Sequence, residues 1–274
     1  MGLSVCVAGA TGWTGRPVAE AVVAAEDLDL RSAVSRSAAG RDLGEAWGVA
    51  RNGVPVLGSV VGALDAVDSI DVMVDFTSHE AVLGNVLAAV EHGVCVVIGS
   101  SGMVAEEYER VDAAARAAGV GVVAAGNFSV TAAMAQAAAL LVSRHLPQRE
   151  IIDYASATKP DVPSGTAREL AERLGAVTRP TLDVPLERTG GPVEARGVTI
   201  AGTQVHSVRL PSFVVSTEVV FARPDERLVI RHDAGASPTP YVSGVLLAIR
   251  EVPRRRGLVR GLDTLLLDTP EGDR

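Results

Sequence analysis

Apolar and polar positions fall in alternating blocks along the first half of this chain. Residues 3–8 (LSVCVA) are a nearly continuous apolar run that stops at Gly9, which predicts a strand buried on both faces. Residues 13–25 then carry Val18, Ala21, Val22 and Ala25 at helical spacing. Residues 30–34 form a second strand. Strands at 72–76, 94–98 and 120–124 follow, interleaved with helices at 79–92 and 104–118. Strands alternating with helices of about a dozen residues predict βαβ units and a parallel sheet covered on both faces.

The pattern changes after residue 127. An alanine-rich helix at 129–145 leads into an extended segment at 150–157 and a short helix at 165–174. Residues 178–198 are rich in Pro, Gly and Thr and read as a loop. Strands at 204–210, 213–221 and 226–232 have turn signals between them, Pro211-Ser212 and Pro224-Asp225, so they are expected to pair antiparallel. An apolar helix at 238–250 closes the pattern. The expected organisation is a domain at 1–127, to which 236–274 returns, and a second α+β domain at 128–235 with a mixed or antiparallel sheet.

Composition narrows the chemistry. With 274 residues, 47% of them hydrophobic, the chain can bury a full core without disulfides or metals. Cys6 and Cys95 sit inside apolar runs and read as strand residues. The net charge of -8 disfavours nucleic acid and anionic membranes as partners. No apolar run reaches the ~18–20 residues of a membrane span, and no leader precedes the first strand, so a cytoplasmic protein is expected. The five histidines show no metal-ligand spacing and read as surface or structural groups, so no metal site is expected. Lysine occurs once, at Lys159.

Gly9-Ala10-Thr11-Gly12-Trp13-Thr14-Gly15 stands between the first strand and the first helix. In that position the backbone can approach a pyrophosphate while the helix N-terminus supplies N–H groups and positive dipole. The reading is a Rossmann-type dinucleotide-binding domain. The second strand ends in Val34-Ser35-Arg36-Ser37, with no carboxylate to repel a 2′-phosphate and with Arg36 able to pair with one. NADPH is therefore the expected cofactor, with NADH possible. Ligands of such sheets bind beyond the carboxyl ends of the strands. Three ends carry suitable groups: Phe76 and Thr77 after Asp75, Gly99 with Ser100 and Ser101, and Asn127 with Phe128.

Lys159-Pro160-Asp161-Val162-Pro163-Ser164-Gly165-Thr166-Ala167 is the densest chemical signal in the second half. Ser164, Gly165 and Thr166 open a helix whose N–H groups and hydroxyls suit a carboxylate. Lys159 adds an ammonium beside them and is the candidate catalytic residue, protonating or polarising the substrate.

These motifs, in this order and over nearly the whole chain, resemble the dihydrodipicolinate reductase family. The likeness extends to Val205-His206-Ser207-Val208-Arg209-Leu210, to Ile230-Arg231-His232-Asp233 and to Gly244-Val245-Leu246-Leu247-Ala248. It implies hydride transfer from NAD(P)H to a small-molecule carboxylate, and a homotetramer built through the sheet of the second domain. One departure stands out. The family pattern Glu-x-His-His-x-x-Lys is here Asp153-Tyr154-Ala155-Ser156-Ala157-Thr158-Lys159, so the family's usual proton donor is replaced by Ala155. Ser156 takes the second histidine's place and is expected at the substrate. Three functions stay open: reduction of a related C=N or conjugated C=C bond, with Lys159, Tyr154 or a held water replacing the histidine; the family's own reaction; and a non-catalytic NADP-binding role.

Overall fold

In a computed structural model, described for residues 2–267, the first apolar run is strand β1 (Leu3–Ala8), with Val5, Cys6, Val7 and Ala8 fully buried. Burial on both faces is what a strand inside a helix-covered parallel sheet requires. The same burial pushes the Cys6 thiol up to about 11, which leaves it a packing group rather than a nucleophile.

In chain order there follow α1 (Gly15–Ala24), β2 (Leu28–Val34), α2 (Leu43–Trp47), β3 (Val56–Leu57), α3 (Val60–Ala66), β4 (Val72–Asp75), α4 (His79–Glu91), β5 (Cys95–Ile98), α5 (Ala105–Ala118) and β6 (Gly121–Ala124). Then come α6 (Val130–Ser143), β7 (Arg149–Ala155), α7 (Gly165–Val177), β8 (Val198–Ile200), β9 (Thr203–Arg209), β10 (Val215–Arg223), β11 (Glu226–Asp233), α8 (Thr239–Glu251), β12 (Gly257–Arg260) and α9 (Leu262–Leu267). The chain divides into one unit of Met1–Val130 with Pro238–Arg274 and another of Thr131–Ser237. The part of the returning segment at 268–274 lies outside the described residues. Among the described residues no helix is long and apolar enough to cross a membrane.

The first unit carries a seven-stranded sheet in the order β12-β6-β5-β4-β1-β2-β3, with every pair parallel. Strand order reverses at β1, which lies between β2 and β4. The carboxyl ends of β1 and β4 are thus the topological switch point where a ligand crevice opens. The returning segment adds β12 to the edge of β6 and packs α8 against α1, with Arg250 making a two-pronged ion pair to Asp27 at 2.7 and 2.8 Å.

The second unit carries a five-stranded sheet in the order β11-β10-β7-β9-β8. Only β7 and β9 pair parallel. The expected antiparallel run of three is corrected in part. β10 and β11 do form such a pair, but β9 and β10 are not neighbours, because β7 lies between them. The Pro211-Ser212 turn spans the end of β7: Leu210 N–H donates to Ala155 O at 3.1 Å and Ser156 N–H to Val214 O at 3.3 Å. A turn signal marks a reversal without saying whether another strand fills the gap. The inner face packs Ile151, Val205, Val219 and Phe221 against Ala139 of α6 and Leu170, Ala171 and Leu174 of α7. Each large side chain fully buried there contributes about 1.5–3 kcal/mol.

Candidate functional site

The glycine loop sits at the switch point because only glycine fits its closest approaches. Gly9 has φ +84°, and a Cβ there would lie 2.2 Å from Phe76 O; at Gly15 it would lie 2.1 Å from Gly9 O. The loop runs into α1, whose N-cap residue Thr14 makes no side-chain capping bond. That helix end keeps its dipole for an anion.

A cavity of about 430 Å³ opens at this loop, lined by Gly9, Thr11 and Gly12, by Ser35 and Arg36 after β2, and by Phe76 and Thr77 after β4. Seven of the residues expected to hold a cofactor are thereby brought together. Thr11 and Ser35 share a hydrogen bond at 2.7 Å that ties the loop to the end of β2. No Asp or Glu lines the cavity, and the Arg36 side chain is exposed at its rim. The residues fit a phosphate-bearing dinucleotide.

The other expected residues are placed differently. Trp13 is 57% exposed and meets Tyr241 edge-on, and neither it, Thr14 nor Gly15 lines the cavity. Gly99, Ser100, Ser101, Asn127 and Phe128 follow β5 and β6 and lie outside it. Phe128 is buried edge-on against Phe76, one of the residues that line the cavity. Ser100 is engaged by Asp75. This fully buried carboxylate accepts from Ser100 Oγ at 2.6 Å, Thr77 Oγ1 at 2.7 Å, Thr77 N–H at 3.0 Å and Asn85 Nδ2 at 2.8 Å. Asp75 therefore fixes the ends of β4 and β5 relative to each other. Sequence reading also missed Gly58 and Ser59, which line the cavity from the start of α3. A Gly-Ser pair ahead of an apolar run was the available signal, since Ser59 Oγ accepts from Gly62 N–H as an N-cap.

In the second unit the chemistry gathers on the inner face of the sheet, around Asp153. This fully buried carboxylate accepts from Ser164 Oγ at 2.6 Å and Ser164 N–H at 2.9 Å. It also accepts from Arg209 Nη2 at 2.8 Å and Ser207 Oγ at 3.2 Å. Arg209 Nη2 donates in turn to Asp161 O at 2.8 Å. The approach to α7 is thus clamped from both sides. Ser164 accepts from Ala167 N–H at 3.3 Å while donating to Asp153, so its hydroxyl serves as the helix cap. Gly165 and Thr166 form the first turn of α7 behind it. Lys159 Nζ pairs with Asp161 Oδ1 at 2.8 Å and keeps 27% of its side chain exposed. Ser156 Oγ is 3.0 Å from Thr158 Oγ1, and Lys159 N–H donates to Ser156 O at 3.0 Å, a turn that starts the loop.

Alternation along β7 sorts the replaced residues. Asp153 and Ala155 are fully buried. Tyr154 lies on the outer face, 4.9 Å from the Phe213 ring and 4.9 Å beneath the Arg231 guanidinium. Tyr154 therefore stands on the opposite face of β7 from Asp153 and Ala155. That outer face is open, a hollow of about 1040 Å³ walled by Ile152, Tyr154, His206 and Val208 with the 180–184 segment. Arg209, which the sequence offered only as part of a longer motif, is the side chain that clamps Asp153. The alternation 205, 207, 209 was the signal that Arg209 shares a face with Val205.

Two family profiles cover the chain. One described as dihydrodipicolinate reductase, N-terminus, matches residues 3–128, and one described as dihydrodipicolinate reductase, C-terminus, matches residues 127–266. The 4-hydroxy-tetrahydrodipicolinate reductase of Thermosynechococcus vestitus is 38% identical over 269 residues, 96% of this chain and 97% of that protein. That of Moorella thermoacetica is 39% identical over 266 residues, 96% and 98% of the two chains. Among solved structures, a dipicolinate-bound dihydrodipicolinate reductase from Paenisporosarcina sp. TG-14 superposes with a TM-score of 0.73 at 26% identity, covering 96% of this chain and 99% of that one.

Proposed function

This chain belongs to the dihydrodipicolinate reductase family, and from that premise we propose that it is an NADPH-dependent reductase of a C=N or conjugated C=C bond in a small cyclic carboxylate. The observation that carries this is the carboxylate-free, glycine-lined cavity of the first unit; the second unit, taken by itself, adds the Lys159–Asp161 loop and the α7 N-terminus. A bound nicotinamide supplies the hydride. The chain's part is to bind and orient. Gly9, Gly12 and the end of α1 receive the phosphates, and Arg36 receives the 2′-phosphate. Gly165 and Thr166 at the start of α7 hold a substrate carboxylate, and Lys159 places positive charge beside it.

The curated relatives favour the family's own substrate, 4-hydroxy-tetrahydrodipicolinate. Buried Ala155 favours a different one, since alanine cannot give a proton. Following NADPH absorbance with that compound and with a panel of cyclic imines decides between them. Turnover of at least one is expected, and inertness toward all would contradict the reading. Arg36→Ala is expected to raise the NADPH Kd about tenfold or more and to leave the NADH Kd nearly unchanged, because only the 2′-phosphate loses a charge-assisted bond. The open outer face of the second sheet is the surface we assign to a homotetramer.

A further inference from the structure

Thr217 of β10 and His232 of β11 are partners in register, so their side chains leave the sheet on one face. On its other side Thr217 is paired with Asp153 of β7. Thr217, His232 and Thr166 of α7, with Ala132, Gln136 and Leu170, line a small, partly open chamber of about 20 Å³. A water needs about 10–15 Å³, so one fits and nothing larger does. Thr217 is 7% exposed, and its Oγ1 is buried with no hydrogen-bond partner. A buried hydroxyl left in that state is disfavoured, and a water in the chamber would satisfy it. His232 lines the same chamber yet stays partly exposed, with Nε2 3.0 Å from Thr131 Oγ1.

Resting on the reductase reading above, we propose that His232 is the proton source for the reduced substrate, acting through one water held by Thr217 and directed to the Thr166 turn. Hydride brings two electrons and one hydrogen to the carbon of the C=N or C=C bond. The displaced electron pair, on nitrogen or on the neighbouring carbon, takes the proton from the chamber water, which His232 as imidazolium replenishes. His232 then recovers its proton from solvent through its exposed side. The sum is substrate, reduced cofactor and one proton giving saturated product and oxidised cofactor.

Asp233, the next residue on β11, is the charge that bears on His232; farther off, Asp153 lies beyond Thr217 on β7, and Glu169 of α7 is held by Gln136 at 3.0 Å and by Arg173 at 3.7 Å. Burial pushes the imidazole below its ordinary value, with Asp233 opposing. An anionic ligand at the start of α7 raises it again. Protonation is complete below the midpoint and lost as pH rises through it, so kcat should fall on the alkaline side.

The test combines two readouts on the full chain. An NMR titration of the His232 ring, assigned by comparison with His232→Asn, should show its midpoint rising when dipicolinate is added. His232→Asn should lower kcat about 100-fold or more, with little change in KM, and abolish the alkaline limb. Thr217→Val should lower kcat less, about tenfold. A midpoint that dipicolinate leaves unmoved, or a His232→Asn enzyme with native kcat and pH profile, overturns the proposal. Should the native protein reduce nothing in the panel, the reductase reading fails on its own, and the titration still reports whether His232 senses the ligand.

Discussion

Asp153→Ala is expected to destabilise the second unit by about 3–5 kcal/mol and to abolish dicarboxylate binding. Three features set that size. The carboxylate is fully buried, it receives four hydrogen bonds, and one donor is the Arg209 guanidinium, whose side chain is only 15% exposed. Removing one partner of such a pair strands the other charge, which costs about 3–5 kcal/mol. A domain's whole stability is about 5–15 kcal/mol, so the loss should appear as a fall in Tm on the order of 10 °C. The functional loss has the same origin. Ser164 caps α7 only while Asp153 holds its hydroxyl and its N–H, and Arg209 reaches Asp161 O only while Asp153 fixes it. Thermal unfolding with and without dipicolinate checks this. A variant with native Tm that dipicolinate still stabilises would contradict it. Asp153→Asn keeps an acceptor and loses the charge, so it should fall between.

Lys159→Ala is expected to lower kcat/KM about 10²-fold or more with the NADPH Kd nearly unchanged. Lys159 is the single lysine of the chain, and its ammonium stands at the loop that leads to the α7 N-terminus, steadied by Asp161 at 2.8 Å. The cavity proposed for the cofactor is lined by residues of the first unit, whereas Lys159 belongs to the second. Lys159→Arg keeps the charge and should recover part of the loss; a role in proton donation would forbid that recovery, because guanidinium does not deprotonate. Steady-state kinetics with calorimetric cofactor titration separates the outcomes. Native turnover in Lys159→Ala would mean that the loop does not contact the reacting substrate.

Most of the first sheet was legible because its strands are buried on both faces and read as apolar runs. The elements that escaped are short. α2 has five residues and is organised by Asp42, whose carboxylate accepts from Gly44 N–H at 2.9 Å and Gly53 N–H at 2.8 Å, contacts that no periodicity reveals. β3 has two residues, and β12 and α9 follow a helix that looked like the end of the pattern. The place of β7 between β9 and β10 was hidden, since turn chemistry is local and strand order is not. At the site, glycines and the lone lysine announced themselves by type and position. Asp153 and Arg209 did not, because the bond between them joins two strands that only the fold brings side by side.

The central claim is that a nicotinamide dinucleotide docks its phosphates on the Gly9–Gly15 turn. Isothermal titration of the full chain with NADPH and, separately, NADH tests it most directly. The account predicts saturable heat at one site per chain, with NADPH bound more tightly than NADH. Absence of heat with both dinucleotides would contradict it.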